Sequence, residues 1–194
     1  KPTPKIAEIQ ALEARRAGYV SIRDRSPDLP HWKGSPRYAA QRGVEWMQPA
    51  SMAWQRAQGC FGCHIQSQVV MGLAVARRNG YIVDERAGRD LTTFTETKQQ
   101  PDGSYEREDE GSTAFAGMGM AYWDDLQGIK SNPALLKAAD FLLQKQDPSG
   151  EVPYQRYADN QDAWSVLQGS LMPTANSLTT FKRAYEETND SRYK

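Results

Sequence analysis

The sequence predicts an all-α chain built from stacked helix pairs, and three observations carry that expectation. Apolar residues recur at helical spacing in segment after segment, a turn motif returns after 47 residues, and amphipathic helices alternate with helices rich in small residues. At 194 residues the chain is long enough for one sizeable domain.

Residues 1–36 read as an N-terminal helix followed by a proline-bounded loop, Ser26-Pro27-Asp28-Leu29-Pro30-His31-Trp32. Residues 37–194 read as the helical-repeat domain. A degenerate first outer helix falls at 37–48. The first inner helix, 64–79, carries Val69, Val70, Met71, Gly72, Leu73 and Ala74, a composition suited to protein on nearly every side. The second pair is an outer helix at 90–98 and an inner one at 112–126, the latter running Ser-Thr-Ala-Phe-Ala-Gly-Met-Gly-Met-Ala-Tyr-Trp. The third outer helix, Pro133–Lys145, spaces Leu135, Leu136, Ala139, Leu142 and Leu143 on one face. Asn132-Pro133 starts it, and Pro148 with Gly150 stops it. The third inner helix, 174–187, aligns Leu178, Phe181 and Tyr185.

The repeated turn is Gln99-Gln100-Pro101-Asp102-Gly103-Ser104-Tyr105, which returns as Gln146-Asp147-Pro148-Ser149-Gly150-Glu151-Val152. His64 and Gly111 keep the same 47-residue period, and about Thr174 takes the equivalent place in the third repeat, so all three inner helices should start at one end of the stack. The third repeat then holds an insertion of about 16 residues near 157–173, containing Trp164, Met172 and Pro173. Extra length on one end of a repeat stack is a candidate lid. Such alternation makes either an α-solenoid or a closed α/α toroid.

The stretch Phe141-Leu142-Leu143-Gln144-Lys145-Gln146-Asp147-Pro148-Ser149-Gly150 resembles the helix-end motif of the squalene cyclase and protein prenyltransferase superfamily. The segments Thr174-Ala175-Asn176-Ser177 and Ala184-Tyr185-Glu186-Glu187-Thr188-Asn189-Asp190 resemble its inner helix and following turn. The resemblance covers roughly residues 37 to 194 and implies an α/α toroid-like arc of about three outer/inner pairs, half of a closed toroid. It does not carry the family's activities over. Asp124-Asp125 lacks the leading aspartate of the D-x-D-D acid, and the spaced Asp, Cys and His zinc ligands of the prenyltransferases are not reproduced.

Cys60-Phe61-Gly62-Cys63-His64 is a C-x-x-C-H motif that uses both cysteines of the chain. This is the attachment signature of c-type cytochromes. On one side of a helical turn, two thiols at this spacing can add to the two vinyl groups of one haem c, leaving His64 as proximal iron ligand. A thioredoxin-like dithiol needs a βαβ context, and a zinc site needs a second ligand pair. His31, the other histidine, stands alone and upstream.

For the sixth iron position His31 ranks over Met172, with an open site third. Met118 and Met120 lie on an inner helix, where packing is the simpler role. Arg42, Arg77 and Arg78 are candidates to meet haem propionates, although Arg77-Arg78 also suits the dipole at a helix end. Trp46, Trp54 and Phe61 are pocket-wall or core aromatics. The acidic run at 106–110 complements the dipole of the helix it precedes.

Lys plus Arg and Asp plus Glu are both 24, a balance unlike that of a dedicated nucleic-acid binder. The first 42 residues carry nine basic against four acidic side chains, either a solvated face or a patch for an acidic partner. No apolar run reaches the roughly 20 residues of a membrane span. With haem attachment ordinarily completed outside the cytoplasm, the expectation is a periplasmic or otherwise extracytoplasmic protein whose leader has been removed. It would serve a redox partner protein or act within a larger redox complex. Two alternatives stay open: a haem enzyme or sensor with a free sixth position, and a toroid-fold enzyme or binding domain whose C-x-x-C-H is structural.

Overall fold

The computed structural model describes residues 35–106, 108–154 and 171–194, and over them the chain is all-α, with six helices and no strands. These are α1 (Pro36–Gln58), α2 (Cys63–Arg78), α3 (Glu85–Glu96), α4 (Glu110–Gln127), α5 (Pro133–Lys145) and α6 (Leu171–Thr188). A short 3-10 turn, Ser191–Tyr193, follows α6. The N-terminal helix and loop expected in 1–36 lie outside the described residues, apart from Ser35 and Pro36.

Local sequence explains most helix ends. Ser35, Asp84, Asp109 and Asn132 each accept hydrogen bonds at an N-terminus, satisfying amides that the helix leaves unpaired. The spacing-based bounds hold for α5 and need correction for two others. The first helix does not stop at Gln48 but continues through Pro49 to Gln58. Pro49 and Glu45, whose carbonyl Pro49 cannot bond, are both exposed, so water can replace the missing hydrogen bond. The helix expected at 90–98 begins at Glu85, because Asp84 caps it and its first buried residues are the small Ala87 and Gly88.

The inner helices α2, α4 and α6 run parallel with α4 in the middle. Cys63 and His64 meet Ser112 and Phe115 near one end of the α2–α4 contact, and Arg78 pairs with Asp125 at the other. On the opposite flank Thr180 packs on Gly117, and Arg183 bonds the Ile129 carbonyl just beyond α4. A methyl group on Gly117 would overlap Thr180, and one on Gly119 would lie 3.1 Å from Ser67 Cβ, so these glycines set the close approach on both sides. Helix α4 is accordingly buried almost throughout, from Glu110 to Ala121 and again at Trp123 and Asp124. Helices α1, α3 and α5 pack outside this layer, with α1 on α2 and α3, α3 on α2 and α4, and α5 on α4 and α6.

The 47-residue repeat is reproduced in its hydrogen bonds. Gln99 Nε2 donates to the Gly103 carbonyl at 3.1 Å, and Gln146 Nε2 to that of Gly150 at 2.9 Å. The two glycines have φ of 93° and 91°. The closing residues Tyr105 and Val152 are fully buried, and their amides donate to Thr113 Oγ1 at 3.1 Å and Thr174 Oγ1 at 2.9 Å. Thr113, rather than Gly111, is therefore the counterpart of Thr174. That reduces the inserted length from about 16 residues to 14.

Candidate functional site

The C-x-x-C-H segment joins α1 to α2. Gly59 closes α1 in the left-handed region (φ 63°), Cys60 and Phe61 follow outside any helix, and Gly62 (φ 69°) is the N-cap of α2. The motif is thus not one helical turn, as its spacing suggested: two left-handed glycines break the chain on either side of Cys60-Phe61. Only Cys63 and His64 are helical, as the first two residues of α2. A Cβ at Gly62 would overlap the Trp54 ring and Gln66 Cγ, so both conformation and space demand glycine here.

This turn sorts the side chains. Phe61 points into the core, 1% exposed, and stacks on Tyr105. Cys60 and Cys63 are half-buried and both free, while His64 is exposed with its ring centroid 6.3 Å from that of Phe115. The Gly62 amide donates to Cys60 Sγ at 3.2 Å, and Cys63 Sγ lies 3.2 Å from His64 Nδ1.

The neighbouring repeat supplies the rest of the surroundings. The Cys60 thiol donates to Glu106 Oε1 at 3.5 Å, and Asp109, Ser112 and Phe115 face Cys63 and His64. Burial pushes both thiols above their ordinary range, and the Glu106 carboxylate adds to the rise at each. Asp109 adds further at Cys63. A helix N-terminus ordinarily favours a thiolate, and Cys63 stands at one. Burial and the acidic neighbours nevertheless outweigh the hydrogen bonds from Gly62 at Cys60 and from His64 and Ser112 at Cys63, so both thiols stay above their ordinary range.

The donor set fits a covalently attached haem. Two reduced thiols with access to solvent could receive its vinyl groups, and an exposed imidazole beside them could receive its iron. It fits zinc poorly. Zinc takes thiolates, and among the described residues no group of three or more His, Cys, Asp or Glu side chains is arranged to hold a metal ion.

The other sequence candidates fall in different places. His31 and Trp164 lie outside the described residues. Met172 belongs to the first turn of α6, not to an inserted loop, and is half-buried; α6 packs on α4 and α5. Met118 and Met120 are buried in α4. Arg77 and Arg78 sit at the far end of α2, about 20 Å along the helix from His64, and hold Glu85 and Asp125. Arg42 pairs with Glu45 at 2.7 Å. Trp54 packs against the Gly62 turn, and Trp46 is largely exposed. In the acidic run, Asp109 caps α4, with its carboxylate accepting from the Ser112 amide at 2.5 Å.

Sequence reasoning missed Glu106, Ser112 and Phe115 as neighbours of the motif. The signal was available, since the 47-residue period sets 106–111 level with 59–64. No helix among the described residues is long and apolar enough to cross a membrane. No protein-family model, curated protein or solved structure matches this chain.

Proposed function

We propose that the chain is a monohaem c-type cytochrome module acting in electron transfer outside the cytoplasm, carried on an α/α toroid-like arc of three outer/inner helix pairs. The observation that carries this reading is the sorting of one five-residue turn. Phe61 anchors in the core while Cys60, Cys63 and His64 stay accessible beside it. A disulfide-exchange dithiol would want at least one thiol acidified, and both are shifted the other way. The arc is supported by three parallel inner helices side by side and by the repeat turn that recurs between them.

When bound, haem would supply a one-electron iron centre. Cys60 and Cys63 would hold it through thioethers, and His64 would present a ring nitrogen to the iron. Phe61 and Gly62 fix the direction in which those three side chains leave the backbone. A redox partner protein, or the other subunits of a larger redox complex, would exchange the electron.

The test is production in cells competent for c-type maturation, followed by a denatured pyridine haemochrome and oxidised and reduced visible spectra. A c-type haemochrome that survives acid–acetone extraction, and is lost in the Cys60→Ser, Cys63→Ser double variant, is the expected result. A colourless protein from such cells would sink the cytochrome reading.

A further inference from the structure

The turn between α3 and α4 departs from its repeat partner after Tyr105, and the first residue past that point meets the first cysteine. Through Tyr105 the turn follows the geometry seen again at Val152. Glu106 then adopts φ of 49° and Glu108 φ of 63°, left-handed conformations that side-chain-bearing residues seldom take. Pro153 stands in the place of Glu106 in the second copy, and its ring forbids that conformation. The repeat therefore does not itself require a left-handed residue here.

Both ends of the excursion are firmly held. Tyr105 is fully buried against Phe61, Asp109 is buried as the cap of α4, and the Asp109 amide donates to the Tyr105 carbonyl at 3.0 Å. Between these anchors Glu106 turns its carboxylate to within 3.5 Å of Cys60 Sγ, while Glu108 turns toward Lys145 Nζ at 3.9 Å. Backbone strain kept between rigid anchors points to a local task for the strained residue.

We propose that Glu106 is a charge placed to lower the reduction potential of a haem held by Cys60, Cys63 and His64, an inference that rests on the cytochrome reading above. The redox step is the gain of one electron from a protein donor, which takes ferric iron to ferrous. A carboxylate at the cysteine edge favours the more positive, ferric state by direct Coulomb attraction. Because Glu106 is exposed, salt screens part of that effect.

The experiment compares midpoint potentials of haem-loaded wild type, Glu106→Gln, Glu106→Asp and Glu108→Gln at low and high ionic strength, after a haemochrome assay of each. Glu106→Gln should raise the potential, Glu106→Asp should restore most of the wild-type value, and Glu108→Gln, whose charge faces Lys145, should raise it by clearly less than Glu106→Gln. The gap between wild type and Glu106→Gln should narrow as salt is added. Should Glu106→Gln fail to mature, Glu106→Ala takes its place, with the same rise in potential and the same narrowing of the gap with salt expected. A haem-loaded Glu106→Gln or Glu106→Ala with the wild-type potential, or a gap indifferent to salt, overturns the proposal and leaves the cytochrome reading intact. A wild type without covalent haem overturns both.

Discussion

Phe61 and Tyr105 stack with ring centroids 4.8 Å apart and planes tilted by 47°, both closed to solvent. Phe61 lies between the two cysteines, and Tyr105 closes the turn of the following repeat. One aromatic contact thus joins the C-x-x-C-H segment to the second helix pair, in the tilted geometry that ring quadrupoles favour. Removing the Phe61 ring takes away an anchor of the turn as well as buried area. Phe61→Ala should cost about 3–5 kcal/mol in urea unfolding, the range for a truncated core aromatic, and should also lower the haem content per chain. A stability within about 1 kcal/mol of wild type would mean that the turn is held by other contacts.

Asp124 gives the protein a pH dependence of a definite sign. It is fully buried, Oδ2 accepts from Asn132 Nδ2 at 2.9 Å, and Oδ1 has no hydrogen-bond partner among the described residues. Asn132 also donates from its side chain to Glu96 of α3 at 3.1 Å and from its backbone to Glu187 of α6 at 2.9 Å. Arg183 meets Glu187 at 3.1 Å. Burial raises the Asp124 carboxyl to about 6, with the Asn132 hydrogen bond and Arg183 opposing the rise and Glu187 and Glu96 adding to it. The folded protein then holds a proton that the unfolded chain has lost between pH about 4 and about 6. This contribution to stability is full below that window, falls as pH rises through it, and is absent above. The change approaches about 3 kcal/mol, because each tenfold difference in proton affinity between the folded and unfolded chain is worth roughly 1.4 kcal/mol. Denaturant titrations at pH 4.5 and 7 on wild type and Asp124→Asn should find the stability difference between the two proteins changing by most of that amount. An unchanged difference would show that Asp124 does not carry the slope.

Helix positions were legible where caps and apolar spacing agree, as at Asn132-Pro133 with the leucines of α5. They were obscured where one signal masked another. Pro49 lies inside the first helix, where the face it disturbs is open to water, so the helix runs ten residues past the expected Gln48. The first turn of α3 buries only Ala87 and Gly88, which leave little trace in a hydrophobic pattern. The motif of Cys60, Cys63 and His64 stood out because its residues are nearly contiguous in sequence. Its surroundings did not, because Glu106, Ser112 and Phe115 come from the adjacent repeat, and in the sequence only the 47-residue period links them to the motif. The left-handed backbone of Glu106 is a feature that its residue type gives no reason to expect.

On the cytochrome reading, the sixth iron position can be tested by two substitutions. Met172 is half-buried in the first turn of α6, and α6 packs on α4 and α5. His64 projects from α2, on the opposite side of α4. That separation counts against Met172, while His31 lies outside the described residues. His31→Ala should convert a low-spin oxidised spectrum to a high-spin one that binds carbon monoxide readily when reduced, while Met172→Leu should leave the spectrum unchanged. A far-red charge-transfer band in wild type that disappears in Met172→Leu would transfer the assignment to the methionine.

The paired turns offer a comparison within one chain. Gly103 and Gly150 share the same backbone conformation, φ 93° and 91°, so replacing either by alanine carries a similar intrinsic penalty. Their surroundings differ. A Cβ at Gly103 would collide with the Lys137 carbonyl of α5, whereas one at Gly150 meets nothing within 4 Å among the described residues. The first turn is clamped beneath the next outer helix, where Gln99 also donates to the Ala134 carbonyl at 2.7 Å. Gly150→Ala should therefore cost about 1 kcal/mol, the backbone penalty alone. Gly103→Ala should cost at least about 2 kcal/mol more, because the obstructing atom is backbone and α5 must shift to admit a methyl group. Thermal or urea unfolding of the two variants decides the matter. Equal losses would mean that the α5 backbone yields freely, and that the turn is not what spaces the second outer helix from the third.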